Sequence, residues 1–180
     1  MPRFEPTGES PSPVSVLFVC LGNHCRSPSA QAVAQHHLAG RGFARFDSAG
    51  TSRAHQGETP HSMARAEGFH RGYRVDHISR QIHPDDFEQF DLIVAMDRSN
   101  VEDVERMRGG VDMRRGPYRD VEPVQLQLLR RWDPYAMPGD EDLADPWGKG
   151  PYDYRKMFDV IERTITPLLQ HLEWLYAEQR

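Results

Sequence analysis

Apolar residues form short unbroken blocks that alternate with stretches of helical spacing, and this pattern predicts alternating strands and helices. The block at 14–19 is rich in valine, as is typical of a strand buried on both faces of a sheet. We expect the first helix to open at Ser27-Pro28, with Ser27 as its cap, and to end near Gly40. Inside it, apolar residues recur three or four positions apart: Ala30, Val33, Ala34 and Leu38.

Similar patterns continue to the end of the chain. Strands are expected at 43–48 and 92–96, with a weaker one at 124–129. Helices are expected at 60–68, from a Ser99 cap to about Met107, and near the C-terminus, where Pro167 should kink the helix. The apolar face of that last helix is formed by Ile161, Ile165, Leu168, Leu172 and Leu175. The alternation favours an α/β fold with a parallel sheet and helices on both faces.

Composition limits the classes of protein that fit this fold. The start of the chain is polar and rich in proline, so residues 1–13 are expected to be a flexible leader and 14–180 a single domain. The 22 Lys and Arg against 27 Asp and Glu give a net charge of -5, which offers no electrostatic case for nucleic acid. No apolar run approaches the roughly 20 residues of a membrane-spanning helix. We expect no membrane partner and a cytoplasmic location, with both cysteines, Cys20 and Cys25, reduced at rest.

The segment that carries chemistry joins the first strand to the first helix and reads Cys20-Leu21-Gly22-Asn23-His24-Cys25-Arg26-Ser27. The backbone N–H groups of such a turn and the helix N-terminus converge on an anion site, so we expect residues 21–27 to bind phosphate. Gly22 lets the backbone approach the anion, Asn23 tolerates a left-handed conformation, and Arg26 can grip two phosphate oxygens. The positive environment favours the thiolate of Cys20. A nucleophilic sulfur beneath an anion cradle suits covalent phosphoryl transfer.

A metal centre is the alternative chemistry for these side chains. Cys20, His24 and Cys25 offer three zinc ligands, but no fourth ligand stands at the usual spacing. We therefore expect no metal.

The segment resembles the signature loop of the low-molecular-weight protein tyrosine phosphatase family, and the resemblance covers about residues 14–175 in the family's order. It implies a doubly wound, four-stranded parallel sheet in a flavodoxin-like three-layer sandwich. It also implies a cysteinyl-phosphate intermediate, no metal and no cofactor. The substrate would be a tyrosine-phosphorylated protein or a small aryl phosphate, with inorganic phosphate as product. The further matching motifs are Asp47-Ser48-Ala49-Gly50-Thr51, His77-Ile78-Ser79-Arg80-Gln81-Ile82, Asp86-Phe87, Phe90-Asp91, Ala95-Met96-Asp97, Ser99-Asn100 and Asp145-Pro146-Trp147.

Such a mechanism needs an acid to protonate the leaving oxygen. Two Asp-Pro pairs compete, at Asp133 and Asp145, and in both the proline holds the aspartate extended. The residues alone hardly separate them. The resemblance places Asp133 after the last strand and Asp145 in the general-acid loop, so Asp145 is expected to act as acid and then as base toward water. Asp142 is a poorer candidate.

The resemblance also suggests which side chains surround the substrate. Trp147 corresponds to an aromatic wall, which would favour aryl phosphates, although Gly148 stands where the family often has a second aromatic residue. Arg53 and His55 fall in the opposite wall, and Arg53 is a candidate to bind an acidic peptide or a second phosphate. His24 replaces an aliphatic residue or threonine in the lip of the loop.

Other matches concern support and redox chemistry. Asn23, Ser27, Ser48 and His77 correspond to residues that hydrogen-bond together and hold the loop, and Asp97 to a structural aspartate beside it. Cys25 could resolve a sulfenic acid on Cys20 as a disulfide and so protect it from irreversible oxidation.

Three alternative functions remain open at this point. An arsenate reductase on the same fold would need a thiol relay, and no cysteine beyond Cys25 exists for a thioredoxin-dependent one, although a glutathione-linked relay stays open. A phosphoarginine phosphatase is less supported, because the relatives that it resembles carry threonine at the position of His24. A non-catalytic phosphate-binding module would not need Cys20, Arg26 and Asp145 together.

Overall fold

The computed structural model describes residues 11–109 and 125–179. Most of the leader expected at 1–13, and Val124 at the start of the weakest strand, lie outside the described residues. A short 3₁₀ helix, Leu129–Trp132, follows the fourth strand. The regular elements are β1 Val14–Cys20, α1 Arg26–Leu38, β2 Ala44–Gly50, α2 Ser62–His70, α3 Asp86–Gln89, β3 Leu92–Ala95, α4 Arg98–Gly109, β4 Gln125–Leu128 and α5 Pro151–Glu178.

The four strands form one parallel sheet in the order β2-β1-β3-β4. Every residue of β1 and β3 is buried, because helices cover both faces: α1 and α5 pack on one, α4 on the other. Successive β1 residues point to opposite faces, so Phe18 and Cys20 pack toward α1 and α5 while Leu17 and Val19 join the second core. The doubly wound four-stranded fold expected from the sequence is confirmed.

The topology decides where a ligand can bind. β1 pairs with β2 on one side and with β3 on the other. The strands that follow β1 in the chain are therefore added first on one side of it and then on the other. The carboxyl end of β1 therefore lies at the point where the strand order switches, and open α/β sheets bind ligands in the crevice at that point. Cys20 is the last residue of β1.

The start of α1 differs from the sequence expectation. The helix begins at Arg26 with Cys25 in the capping position, so Ser27 lies inside the first turn. Ser27 does not cap the helix because its hydroxyl is engaged by Cys20 and Asn23.

Two other helices also differ. The N-terminus of α4 is capped by Asp97 rather than Ser99, since the Asp97 Oδ1 accepts a hydrogen bond from the Asn100 amide at 2.8 Å. The last helix begins at Pro151, well before its apolar stripe, and continues through Pro167 to Glu178.

The four-residue α3 was not expected, since it is too short to show helical periodicity. Among the described residues, no helix is long and apolar enough to cross a bilayer.

Candidate active site

The turn between β1 and α1 is held in a tight arch over the end of the sheet. Asn23 takes the left-handed conformation, with φ 51°, as its residue type predicted. Gly50, at the end of β2, lies so close beneath the turn that a Cβ there would come within 2.7 Å of the Leu21 carbonyl oxygen. The Thr51 and Ser52 amides donate to the carbonyls of Cys20 and Leu21, each at 2.9 Å. The arch is thus fixed by backbone contacts that a side chain at Gly50 would disrupt.

The Cys20 sulfur lies under this arch and faces two hydrogen-bond donors. It is 3.2 Å from the Asn23 amide nitrogen and 3.0 Å from the Ser27 Oγ. The Ser27 oxygen accepts a hydrogen bond from the Asn23 Nδ2 at 2.9 Å, so its own hydrogen is available to the sulfur or, at 3.4 Å, to the Ala49 carbonyl oxygen. The two contacts hold the Cys20 sulfur in place beneath the arch.

Asn23 is the centre of the network that supports the arch. Its side-chain Nδ2 also donates to the Ser48 Oγ at 2.9 Å, and the Ser48 hydroxyl donates to the Gln31 Oε1 at 2.7 Å. Its amide oxygen accepts from the Arg80 amide at 2.9 Å and from the His77 Nε2 at 3.1 Å. Burial lowers the pKa of His77 despite the nearby Asp47 carboxylate, so the ring is a neutral donor here. The resemblance suggested five supporting residues. Four of them, Asn23, Ser27, Ser48 and His77, meet in this network, and the fifth, Asp97, lies outside it.

The Arg26 side chain is 3% exposed, and hydrogen bonds to buried neighbours fix the direction of its guanidinium. Its Nη1 donates to the Asp97 Oδ2 at 2.5 Å and to the Leu143 carbonyl oxygen at 2.9 Å. Its Nη2 lies 3.1 Å from the Asp145 Oδ2. Burial lowers the pKa of Arg26, but the facing Cys20, Asp145 and Asp97 outweigh that effect and raise it. Asp97 therefore fixes a permanent cation beside the Cys20 sulfur.

The two Asp-Pro pairs have opposite surroundings. Asp133 has a fully buried side chain that pairs with Arg130 and Arg163, at 2.9 Å and 2.8 Å. Burial alone would raise its pKa, but Arg163, the Tyr135 amide and Arg130 lower the pKa to about 2. Asp145 instead lines the cleft over Cys20, with 42% of its side chain exposed. Only Asp145 of this pair can reach a leaving group.

Asp142, the third candidate for the acid, lies in the loop before α5 and contacts the N-terminus of α4. Its Oδ1 accepts a hydrogen bond from the Arg98 amide at 2.9 Å. It does not line the cleft over Cys20.

A cleft leads from the surface down to the Cys20 sulfur. Trp147 forms one side, 58% exposed, and the His55 ring faces it with centroids 6.4 Å apart. Arg53, expected in this wall, lies outside the cleft: its Nε donates to the Gln81 Oε1 at 2.7 Å, which holds the guanidinium elsewhere. The lining residues are Cys20, Leu21, Gly22, His24, Cys25, Arg26, Ser52, Ala54, His55, Asp145 and Trp147.

Comparison with known proteins agrees with this geometry. The model of the family described as low molecular weight phosphotyrosine protein phosphatase matches residues 15–177. The chain belongs to this family. It is accordingly a phosphotyrosine protein phosphatase, a hydrolase.

Relatives and solved structures cover nearly the same span. The human low molecular weight phosphotyrosine protein phosphatase is 37% identical over 87% of this chain and 94% of its own. A protein tyrosine phosphatase from Entamoeba histolytica, crystallised with Hepes in the active site, is similar with a TM-score of 0.74 and 31% identity, covering 89% of this chain and 97% of that one. A Drosophila arginine phosphatase is similar with a TM-score of 0.76 and 31% identity, covering 87% and 96%.

The second cysteine of this phosphatase lies in the wall of the cleft. Cys25 is buried, and its sulfur lies 3.4 Å from the Tyr154 hydroxyl on α5. Burial raises the pKa of Cys25 to about 12, although the Tyr154 contact acts in the other direction. Cys25 is therefore a protonated thiol at neutral pH.

Several residues of the phosphatase site were not identified from the sequence. Gln31, which anchors Ser48, is a polar residue within the buried apolar run at 30–34 of α1, and that contrast was a usable signal. The Leu143 carbonyl that holds Arg26 is a backbone group, so the residue type at position 143 does not reveal this contact. Ser52 lines the cleft because the loop after β2 folds back toward β1.

Proposed function

We propose that this phosphatase hydrolyses phosphotyrosine in two displacements at phosphorus, with Cys20 as the nucleophile. The observation that carries the proposal is the meeting of three groups in one cleft: the Cys20 sulfur under its donors, the buried Arg26 cation, and the accessible Asp145 carboxyl. A nucleophile, an anion-stabilising cation and a proton donor are the parts that covalent phosphoryl transfer requires.

In the first step the Cys20 thiolate attacks phosphorus and an S–P bond forms. The bond between phosphorus and the tyrosine oxygen breaks, its electron pair goes to that oxygen, and Asp145 supplies the proton. Backbone N–H groups of residues 21–27 and the Arg26 guanidinium stabilise the charge on the three non-bridging oxygens. A bound phosphate competes with Asp145 for Arg26, now 3.1 Å away, and so releases the carboxyl group toward the leaving oxygen.

In the second step Asp145, now a carboxylate, takes a proton from water, and the water oxygen attacks phosphorus. The S–P bond breaks, its electron pair returns to Cys20, and inorganic phosphate leaves. The Ser27 hydroxyl, 3.0 Å from the sulfur, stabilises the thiolate as a leaving group. Asn23, Ser48, His77 and Asp97 take no part in bond making and serve to hold the arch and the guanidinium.

Trp147 and His55 support an aromatic substrate. Their rings flank the cleft with centroids 6.4 Å apart and planes 53° from parallel, so a phenyl ring on its way to Cys20 passes between apolar faces. Aromatic contacts of this kind contribute roughly 0.5–1.5 kcal/mol each. We expect Trp147→Ala to raise KM about tenfold for phosphotyrosine peptides and to leave kcat nearly unchanged.

A substrate panel measures this preference and tests the proposed substrate class. Matched peptides that carry phosphotyrosine, phosphoserine or phosphoarginine are compared by kcat/KM in the wild type and in Trp147→Ala. In the wild type, kcat/KM should be highest for the phosphotyrosine peptide. In Trp147→Ala, the ratio of that kcat/KM to the values for the other two peptides should be smaller. A preference for phosphoarginine would replace the proposed substrate by that of the Drosophila arginine phosphatase, which is structurally similar to this chain.

Cys25 supports a redox role for the same site. Peroxide oxidises the Cys20 thiolate to a sulfenic acid. The Cys25 thiol then passes its proton to the sulfenic oxygen while its sulfur attacks the Cys20 sulfur, so that an S–S bond forms, the S–O bond breaks and water leaves. We expect wild-type activity lost to peroxide to return with dithiothreitol, whereas in Cys25→Ser the loss becomes permanent. Tyr154→Phe, which keeps the thiol, is the matched control and should recover like the wild type. Equal recovery of wild type and Cys25→Ser would remove Cys25 from this role.

The redox chemistry bears on where the protein works. Cys20 must stay reduced to act as a nucleophile, and cytosolic glutathione and thioredoxin keep thiols reduced. We therefore include a cytoplasmic location in the proposal, with tyrosine-phosphorylated proteins or small aryl phosphates as substrates.

A further inference from the structure

Three side chains that bind metal ions well converge on the lip of the cleft. His24 lies in the arch between β1 and α1, while His55 and Glu58 come from the loop after β2. The His55 Nδ1 is 2.9 Å from the Glu58 Oε2, and the His24 Nδ1 is 3.9 Å from the same oxygen. One ligand atom from each residue lies within 4.8 Å of the others.

The His24 Nδ1 is an orphaned polar atom. It is buried and has no hydrogen-bond partner among the described residues, and its 3.9 Å separation from Glu58 is too long for a hydrogen bond. A buried polar nitrogen left without a partner costs free energy. The neighbours do not satisfy it: His55 stacks on the face of the ring, and His61 meets it edge-on with its own Nδ1 accepting from the Met63 amide. The nitrogen faces Glu58.

The ligand atoms of the cluster suit a cation. Imidazole nitrogens are the commonest metal ligands in proteins. Glu58, with its side chain 53% exposed, adds the carboxylate.

We propose that His24, His55 and Glu58 form a binding site for a divalent cation of the zinc type at the lip of the cleft. Two imidazole nitrogens and one carboxylate oxygen are a donor set that zinc takes with water in the fourth position. Bonds of about 2.0–2.2 Å place neighbouring tetrahedral donors about 3.3 Å apart. The observed separations of 2.9 Å and 3.9 Å from the Glu58 oxygen lie on either side of that value.

Binding requires one ring to turn. The His24 and His55 rings are stacked with centroids 3.8 Å apart and planes 5° from parallel, and an ion cannot lie in two parallel ring planes at once. His55 is the ring that can move, since it stands on a surface turn and 22% of its side chain is exposed, against 12% for His24. The ion therefore draws His55 out of the stack and away from its place opposite Trp147, which couples the site to the substrate cleft.

The site differs from the zinc set weighed from the sequence. Cys20 and Cys25 are not its ligands; His24 is joined instead by residues from a loop about thirty positions later. Sequence spacing gave no signal for it, and it departs from the expectation that no metal binds. It has no role in the proposed bond making at Cys20.

The test is a binding measurement, because zinc can also inhibit by binding the Cys20 thiolate directly. Full-length Cys20→Ser protein is titrated with Zn²⁺ by calorimetry and with Co²⁺ by visible absorption. We expect one equivalent to bind, with tetrahedral cobalt bands and no thiolate charge-transfer band. In this background, Glu58→Gln and His55→Asn should each weaken zinc binding at least tenfold.

His83→Asn is the matched control, since His83 pairs with Asp85 at 3.3 Å on an exposed surface outside the cleft. It should bind zinc as Cys20→Ser does. The proposal is overturned if either Glu58→Gln or His55→Asn binds zinc as tightly as this control. The result is independent of phosphatase activity, so it can fail while the proposed function stands.

Discussion

Cys20→Ser is expected to abolish turnover of aryl phosphates and to leave phosphate and vanadate binding intact. A serine hydroxyl is not ionised at neutral pH, so the attacking electron pair is lost. The anion site itself is built from backbone N–H groups of residues 21–27 and from Arg26, which the substitution does not touch. Turnover of para-nitrophenyl phosphate and calorimetric binding of vanadate measure the two halves of this prediction.

Oxyanion binding serves as the internal control for folding in that variant. Loss of both turnover and vanadate binding would mean that the arch had collapsed, and Cys20→Ala would then repeat the test without the added oxygen. Substantial turnover by folded Cys20→Ser would show that the nucleophile is another group.

Asp145→Asn is expected to slow hydrolysis of phenyl phosphate by roughly 10²–10⁴-fold, the usual contribution of general acid catalysis. The amide cannot donate the proton that the leaving oxygen needs. Para-nitrophenyl phosphate should be slowed much less in the first step, because nitrophenolate leaves without a proton. The values of kcat/KM for a series of aryl phosphates whose leaving phenols increase in basicity measure this difference.

Asp133→Asn is the matched control, because Asp133 also precedes proline but pairs with Arg130 and Arg163 in the interior. It should lower the melting temperature and retain the wild-type dependence on the leaving group. If Asp145→Asn keeps the wild-type dependence as well, the acid is a different residue.

The strands and the anion-binding arch could be predicted because local sequence encodes them. The block at 14–19 has no polar face, so it had to be buried on both sides. Asn23 is one of the few residue types that tolerate the left-handed conformation found there. Ser27 was misassigned as a cap because a serine before a helical pattern has that local signature, whereas its hydroxyl is engaged across the arch by Cys20 and Asn23.

The surroundings of the site depend on contacts between distant segments. Neither Asp-Pro pair differs locally from the other; the difference arises because Arg163 of α5 reaches Asp133 and Arg26 of α1 reaches Asp145. Arg53 was placed in the substrate wall by its position after Thr51, but Gln81 from a later loop holds it away. Such long-range partners have no signature in the spacing of neighbouring residues.

The most direct measurement of the central claim is the identity of the phosphorylated residue during turnover. Asp145→Asn protein mixed with para-nitrophenyl phosphate should release a burst of nitrophenol and accumulate the intermediate, because water attack is then slow. Rapid acid quench followed by peptide mass spectrometry is predicted to find one phosphate on the Cys20 sulfur. Steady turnover with no burst, or with phosphate on any other side chain, would contradict the account.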